Sequence, residues 1–249
     1  MIFYFSATGN SRHAAERAAA VTGERLVSIG AACRAGAYDY DLRGDRYLGF
    51  VLPTFAGTLP APAADFIKNM ALSGAEGLFV FGLFTCGEST GEEAQALSQA
   101  LADRGIALSR CWDLVMPDNF IVWSSLPSPG ALGKALTRAD AALDEILAAL
   151  LRRESAAVPA GKPRLPFMPT LPAGENRLRV RAEACTGCGL CARLCPTGCL
   201  TLRDGLPQWA DGCCTCLACL HRCPAAAIEH GQDTVGKRRY VYPGSPATL

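Results

Sequence analysis

Cysteines carry the clearest chemical pattern in this sequence. The chain has 13 cysteines among 249 residues, and most of them lie between Cys185 and Cys223. Two groups of four share the spacing C-x2-C-x2-C-x3-C, and a proline follows each group. The first group is Cys185, Cys188, Cys191 and Cys195, and the second, 28 residues further on, is Cys213, Cys216, Cys219 and Cys223. Cysteines at short, fixed spacing indicate thiolate ligands for metal rather than disulfides.

This spacing is that of bacterial proteins with two 4Fe-4S clusters, in which the fourth cysteine of each group ligates the other cluster. The tight C-x2-C-x2-C loop places three thiolates at three corners of one cluster, and the proline turns the chain away. A zinc site is disfavoured, because zinc closes with two pairs of ligands whereas triplets of cysteine recur here. We therefore predict two clusters, the first held by Cys185, Cys188, Cys191 and Cys223, and the second by Cys213, Cys216, Cys219 and Cys195.

Five cysteines fall outside these ligand sets. Cys214 is not chosen as a ligand, because a motif that began there would break the spacing. A free cysteine usually behaves as a small apolar residue in a protein interior, and we expect that role for all five. They are Cys33, Cys86, Cys111, Cys199 and Cys214.

The first 153 residues alternate between strand and helix patterns. Strands are predicted at residues 2–5, 26–29, 47–52, 78–84 and 107–115. Helices are predicted at residues 11–21, 61–70, about 90–104 and 131–153, with Ser89 or Thr90 as the cap of the third. The segment 31–46 is too rich in glycine and aspartate for more than a turn or two of helix. Strands separated by helices predict an α/β fold with a parallel sheet covered on both faces.

Prolines mark the end of this unit. They recur at positions 159, 163, 166, 169 and 172, which predicts an extended, semi-rigid linker or a strap packed on one domain surface. The predicted organisation is a domain at 1–153, a linker at 154–174 and a small domain with a C-terminal tail at 175–249. A domain this small, with few large aliphatic residues, needs cross-links to fold, and its cysteine-bound clusters would supply them.

A second chemical pattern lies between the first predicted strand and the first predicted helix. Residues 6–11 read Ser-Ala-Thr-Gly-Asn-Ser. Backbone N–H groups at a helix N-terminus favour an anion, and small hydroxyl residues let the chain wrap a phosphate closely. Gly9 permits the tight turn. The loop therefore predicts a phosphate site.

The loop resembles the flavodoxin phosphate fingerprint, T/S-x-T-G-x-T/S, at every fixed position, and the strand–helix order of about 150 residues is similar to that of flavodoxins. The resemblance implies a five-stranded sheet of order 2-1-3-4-5 with FMN at the switch point. Loops after strands three and four would flank the flavin ring. The second of these loops has no aromatic residue, unlike that of many flavodoxins, and the alternative role for Phe55 is packing beneath its own loop. The implied FMN-binding residues are Ser6, Ala7, Thr8, Gly9, Asn10, Ser11, Thr54, Phe55, Ala56, Gly57, Thr85, Cys86 and Gly87.

The C-terminal domain resembles a two-fold pseudo-symmetric bacterial ferredoxin over residues 177–231, an α+β fold with two clusters. Taken whole, the chain is similar to a bacterial family that joins an N-terminal flavodoxin-like domain to a C-terminal ferredoxin with two 4Fe-4S clusters. The segments that carry this likeness are Tyr4 to Ser11 and Met116 to Phe120. The resemblance implies electron transfer.

Three functions are compatible with these patterns. The first is an electron relay between the two clusters and FMN, with no catalytic residues of its own. The second is a flavin-dependent oxidoreductase that reduces a small substrate, although His13, His221 and His230 suggest no catalytic set and no nicotinamide site is evident. The third is a redox-sensing or binding module without flavin. The long loop of residues 117–130 would either cover the flavin or dock the ferredoxin domain.

Charge and hydropathy argue against nucleic acid and membranes as partners. The 24 Lys and Arg residues nearly balance the 23 Asp and Glu residues, so no footprint for nucleic acid is visible. The run Lys237 to Arg239 is expected to be a solvated tail. No apolar run is long enough to span a membrane and no signal peptide is evident, so a cytoplasmic location is expected. The redox partner, either the flavodoxin domain or an external protein, would be recognised by shape rather than by a surface of one charge sign.

Overall fold

A computed structural model of the chain describes residues 1–158, 163 and 165–246. Its first part alternates strands and helices as the sequence predicts. The elements are β1 (Ile2–Tyr4), α1 (Asn10–Thr22), β2 (Leu26–Ser28), α2 (Ile29–Ala35), β3 (Asp39–Asp41), β4 (Tyr47–Pro53), β5 (Leu59–Pro60), α3 (Ala61–Asn69), β6 (Ala71–Ser73), β7 (Phe79–Cys86), α4 (Glu93–Ala102), β8 (Arg110–Val115) and α5 (Pro129–Leu151).

Five of these strands form a parallel sheet of order β2-β1-β4-β7-β8. Counted among the members of this sheet alone, that is the order 2-1-3-4-5, so the predicted flavodoxin-like topology is confirmed. Strand β7 is buried along its whole length, as a central parallel strand must be. Gly49 of β4 pairs with Phe81 of β7, and a Cβ at Gly49 would lie 2.3 Å from the Phe81 ring. Glycine at this position therefore lets a large ring pack across the middle of the sheet.

Helices cover both faces of the sheet. On one face, Phe3, Phe50, Phe66 and Phe84 belong to a buried cluster. On the other face, small residues of α1 and the leucines of α5 pack against the strands. Among the described helices, none is both long and apolar enough to cross a membrane.

Helix α4 begins later than predicted. Its first residue is Glu93, and neither Ser89 nor Thr90 caps it. The Thr90 hydroxyl instead donates to Asp113, 3.1 Å away. The backbone of Gly91 lies against Gly57, where an added Cβ would come within 2.8 Å of the Gly57 Cα. The cap prediction was wrong because this segment holds a neighbouring loop in place and is not free to form the first helical turn.

The C-terminal part contains only short elements. They are β9 (Phe167–Met168), β10 (Leu178–Val180), α6 (Leu190–Arg193), β11 (Leu200–Arg203), β12 (Leu206–Trp209), α7 (Ala218–His221) and β13 (Ile228–His230). Strand β10 pairs with β13, and β11 pairs with β12, both antiparallel. The β11–β12 hairpin turns at Asp204 and Gly205, both with positive φ, which suits the right-handed twist of its strands. Cysteines make up a large part of the apolar cluster of this unit.

The proline-rich segment lies against the first unit as a strap. Strand β9 pairs in parallel with β5, and the Thr58 hydroxyl donates to the carbonyl oxygen of Leu165 at 2.6 Å. Leu171 forms a bridge with Cys213. Residues 159–162 and 164, where part of this segment was predicted, lie outside the described residues.

The prediction of a solvated basic tail was wrong. Lys237 Nζ donates to the carbonyl oxygens of Ile121 and Ser124 at 2.8 and 2.9 Å, and Arg239 forms an ion pair of 2.7 Å with Glu229. The loop after β8 has no sheet or helix partner for its carbonyl groups, so the basic side chains satisfy them.

Candidate functional site

Four cysteines line a cavity of about 340 Å³ at the first cysteine motif, here called the outer cavity. Gly187 and Gly189 adopt positive φ and let the C-x2-C-x2-C loop coil around it. Cys188 is exposed, and a backbone hydrogen bond at Leu190 is the main cause that lowers the pKa of its thiol. The lining cysteines are Cys185, Cys188, Cys191 and Cys223, so the last ligand comes from the second motif.

A second cavity of about 300 Å³, here called the inner cavity, is lined by the second motif. Burial raises the pKa of Cys219 well above its ordinary value. Trp209 and Leu178 complete part of its wall. The six lining cysteines are Cys195, Cys199, Cys213, Cys214, Cys216 and Cys219.

The grouping of thiols suits four-iron clusters. Each cavity offers the four thiols that the spacing assigns to one cluster, and Cys195 and Cys223 each reach the cavity of the other motif. Within the described part of the chain, no three Cys, His, Asp or Glu side chains converge closely enough to hold a single metal ion. The thiols surround a space, as a cluster whose irons each bind one thiolate requires.

Two of the cysteines predicted to be structural also face the inner cavity. Cys199 and Cys214 are buried, as expected of small apolar residues. However, Cys199 Sγ lies 3.6 Å from Cys195 Sγ, and Cys214 belongs to the buried cluster of the α/β unit. Cys214 therefore joins the inner cavity to the α/β core. Of the remaining three, Cys86 is buried, whereas Cys33 and Cys111 are only half-buried.

A third cavity, of about 460 Å³, lies where β1, β4, β7 and β8 end. We call it the flavin cavity, after the cofactor that the sequence implies. The predicted residues that line it are Ser6, Ala7, Thr8, Asn10, Ser11, Thr54, Phe55, Thr85, Cys86 and Gly87. Its cradle of small polar residues fits a phosphate-bearing flavin.

The side chains of the phosphate loop are held in place by neighbours. Ser6 Oγ accepts a hydrogen bond from the Gly9 amide at 3.1 Å, and the hydroxyls of Ser11 and Thr85 lie 2.7 Å apart. Asn119 Nδ2 donates to Thr8 Oγ1 at 2.6 Å. These contacts orient the loop before any anion arrives.

Three of the predicted flavin residues do not line the cavity. Gly9 turns the chain with a φ of 112°, and a Cβ there would lie 2.7 Å from Ser245 Oγ. Ala56 and Gly57 form the tip of a tight turn with positive φ, closed by mutual hydrogen bonds between Phe55 and Thr58. These residues therefore shape the loops. Phe55 both lines the cavity and packs edge-on against Phe5, with ring centroids 6.2 Å apart.

Residues that the sequence did not assign also line the flavin cavity. Four belong to the start of the long loop after β8, whose length had marked it as functional. The same loop packs Phe120 and Ile121 into the ferredoxin cluster, so it serves both units. The unassigned lining residues are Pro53, Met116, Pro117, Asp118, Asn119 and Cys216.

Cys216 lines both the inner cavity and the flavin cavity. It is a predicted ligand of the second cluster. No spacing in the sequence could have revealed this position, because it depends on how the second motif docks on the α/β unit. The two candidate cofactor sites thus share a wall.

Burial raises the pKa of two acidic groups near the phosphate loop: Cys86, which lines the flavin cavity, and Glu93, which does not line it but bonds to the lining residue Thr54. Glu93 is fully buried, accepts a hydrogen bond from Thr54, and has one carboxyl oxygen without a hydrogen-bond partner among the described residues. Burial raises its pKa well above the usual range, and nearby Asp113 adds to the effect. Burial also raises the pKa of Cys86 to about 11. With a pKa of about 11, Cys86 is a thiol at neutral pH and therefore a poor nucleophile.

Comparison with known proteins supports the C-terminal assignment. The model of the 4Fe-4S binding domain family matches residues 178–201, and it supports at least one 4Fe-4S cluster in this chain. No curated protein matches.

Solved structures similar to this chain include a candidate flavoprotein from Bacteroides uniformis, with 16% identity, 46% of this chain and 88% of that chain covered, and a TM-score of 0.37. Rubredoxin oxygen:oxidoreductase from Desulfovibrio gigas is 16% identical, with 60% of this chain and 36% of that chain covered and a TM-score of 0.35. Trp repressor binding protein from Bacillus subtilis is 13% identical, with 62% and 99% covered and a TM-score of 0.39. The fold assignment rests on strand order and register and not on these likenesses. The chain joins a flavodoxin-like α/β fold to a C-terminal 4Fe-4S ferredoxin segment.

Proposed function

We propose that this protein is an iron–sulfur flavoprotein that relays electrons between two 4Fe-4S clusters and FMN within one chain. The observation that carries the proposal is the position of Cys216, which lines both the inner cavity and the flavin cavity. Bound clusters pass single electrons and a bound flavin holds one or two, so the pair of cofactors would connect one-electron and two-electron chemistry. Fusion of the two units gives the cofactor sites a high effective concentration for each other.

The candidate ligand residues form three cofactor sites, two for clusters and one for FMN. Cys185, Cys188, Cys191 and Cys223 would hold the outer cluster, and Cys195, Cys213, Cys216 and Cys219 the inner one. The loop of residues 6–11 would bind the FMN phosphate, and the loops at Thr54 and Thr85 would flank its ring. Cys86, a thiol at neutral pH, adds no negative charge to the flavin cavity.

Exposure supports an order for the relay. Cys188 of the outer cavity is exposed to solvent, whereas Cys195, Cys213 and Cys219 of the inner cavity are buried. An external redox protein would therefore meet the outer cluster, and the inner cluster would connect it to the flavin. The cytoplasm, where thiols stay reduced, is the compartment that we propose.

Cofactor content tests the proposal directly. The protein is purified without oxygen, and its iron and released FMN are measured. We expect about eight iron atoms, from two four-iron clusters, and about one FMN for each chain. A protein that carries its iron but takes up no FMN during reconstitution would contradict the relay and favour a flavin-free sensing module.

Turnover separates a carrier from an enzyme. The flavin-loaded protein is reduced without oxygen and mixed with a panel of small organic oxidants and, separately, with one-electron protein acceptors. We expect fast exchange with the proteins and slow, unselective reaction with the small molecules. Saturable turnover of one small substrate would instead indicate a flavin-dependent oxidoreductase.

A further inference from the structure

Arg222 is a buried cation next to the phosphate loop. It lies in the second cysteine motif, immediately before Cys223, and only 9% of it is exposed. Its Nε donates to the carbonyl oxygen of Ala7 at 2.8 Å. Its two terminal nitrogens donate to the Pro246 carbonyl oxygen at 2.6 Å and to Ser245 Oγ at 2.9 Å. The ferredoxin segment thus places a guanidinium directly against a residue of the phosphate loop.

No carboxylate neutralises this guanidinium. Among the described residues, no Asp or Glu side chain lies within ion-pair distance of Arg222. Burial lowers the pKa of Arg222, and the positive charge of Arg12 lowers it further. By contrast, the similarly buried Arg239 has an ion pair of 2.7 Å with Glu229. A buried charge without a counter-charge is costly, and the cost falls when an anion binds nearby.

The adjacent loop is the candidate anion site. Ala7 lines the flavin cavity, and Arg222 holds its carbonyl oxygen from the side of the ferredoxin segment. Building on the proposed function, we propose that Arg222 is the charge partner of the phosphate group bound by the Ser6–Ser11 loop. The phosphate site is then complete only when the ferredoxin segment is docked on the α/β unit.

The C-terminal tail fixes this arrangement. The Tyr242 amide donates to the Thr8 carbonyl oxygen at 2.8 Å, and the Tyr240 hydroxyl donates to Asn10 Oδ1 at 2.6 Å. Ser245 packs where Gly9 has no side chain. The tail therefore holds the loop and Arg222 together. Arg222 positions the loop through the Ala7 carbonyl oxygen, and its positive charge favours the bound phosphate.

The choice between FMN and riboflavin tests the proposal, because riboflavin has the same ring without the phosphate. Dissociation constants of both flavins are measured by fluorescence quenching with the full-length, cluster-loaded protein. For Arg222→Gln we expect FMN affinity to fall about 10-fold, because a nearby unit charge that favours the phosphate is lost, with riboflavin affinity almost unchanged. Arg222→Lys, which keeps the charge, should retain most of the preference for FMN.

Arg34→Gln is the matched control. Arg34 also bridges the two units, since its Nη1 donates to the Cys195 carbonyl oxygen at 3.3 Å, but it does not contact the phosphate loop. We expect this variant to bind both flavins as the wild type does. Iron content confirms that each variant holds its clusters.

Several outcomes would overturn the proposal. Equal losses of FMN and riboflavin affinity in Arg222→Gln would show that Arg222 only supports the fold, and unchanged affinities would show no role. A wild type that binds riboflavin as tightly as FMN would also refute the charge-partner role while leaving a flavin-based function intact. A wild type that binds neither flavin would overturn the proposed function itself and this inference with it.

Discussion

The outer and inner cavities are built from one cysteine spacing used twice, yet their surroundings differ. The outer cavity has the exposed Cys188 and three half-buried cysteines, and its loop faces solvent. The inner cavity has three buried ligands, and its neighbour Cys214 is part of the α/β core. The motif sets which atoms could bind iron, whereas docking decides which cluster is protected and which is accessible.

The same contrast holds at matched positions within the two motifs. Arg193, two residues after Cys191, is exposed, and its side chain donates to the nearby Cys188 carbonyl oxygen at 3.0 Å. Its counterpart His221 is buried and lies between the tail and the long loop. The apolar Leu194 corresponds to Arg222. The two motifs share their ligand positions, and the residues that differ between them make the second motif the docking surface.

The largest expected effect separates the two clusters by their role in folding. Because metal binding to a unit with a small core is itself folding free energy, Cys219→Ala should lose about four iron atoms and several kcal/mol of stability. Residues 177–231 should then become sensitive to protease, and flavin binding should weaken. Cys188→Ala should also lose one cluster but leave the docked inner motif protected.

Cys199→Ala is the control for that experiment, since Cys199 lines the inner cavity but is not a predicted ligand. It should keep about eight iron atoms. Loss of iron in this variant, with full iron in Cys219→Ala, would show that the ligand assignment is wrong.

A second prediction concerns Glu93, a buried carboxyl of the α/β unit that accepts a hydrogen bond from Thr54 in the wall of the flavin cavity. Burial raises the pKa of Glu93 above its ordinary value of 4.5, so the native state holds a proton that the unfolded state releases as pH rises. Stability should therefore fall by up to about 1.4 kcal/mol for each pH unit above 4.5, until the pH passes the raised pKa. Glu93→Gln cannot ionise and should lack this slope.

Thermal denaturation midpoints of the cluster-loaded wild type and Glu93→Gln, compared between pH 5 and 8 without oxygen, check this sign. The difference should move in favour of the glutamine variant as pH rises. Parallel curves would mean that Glu93 is ionised in the folded protein.

A third, smaller effect tests whether the inner motif anchors the long loop. The Nδ1 atom of His221 accepts a hydrogen bond from the Tyr240 amide at 3.1 Å, so its Nε2 carries the proton and donates to the Asn119 carbonyl oxygen at 2.8 Å. Burial lowers the pKa of His221 to about 4, so the ring is neutral at pH 7. His221→Ala leaves both backbone partners unsatisfied, at a cost of about 2 kcal/mol.

Hydrogen exchange across residues 117–128 measures that change. Faster exchange in this loop is expected for His221→Ala, and exchange at wild-type rates for Arg193→Ala, which removes the matched residue of the outer motif. Equal exchange rates in the two variants would show that the inner motif does not anchor this loop more than the outer motif does.

Local patterns predicted much of this molecule, and docking explains what they missed. The apolar run of β7 depends on neighbours in sequence, so a buried parallel strand could be anticipated, and the cysteine spacing predicted two ligand groups; the strand order came from the resemblance to flavodoxins. The positions of Cys216 and Arg222 depend on contacts between residues about 200 apart, and no local pattern encodes them. Helix α4 and the basic tail were mispredicted for the same reason, since Gly91 and Lys237 serve distant loops.

The smallest expected effect is a difference in potential between the two clusters. Reduction adds negative charge to a site that thiolates already make anionic, and burial disfavours that charge. The inner cluster should therefore have the lower potential, by on the order of 60 mV, which corresponds to a tenfold change in equilibrium for one electron. A redox titration followed by electron paramagnetic resonance should show two steps in the wild type, and Cys188→Ala should retain the lower one. A retained step at the higher potential would mean that charges near the inner cavity outweigh its burial.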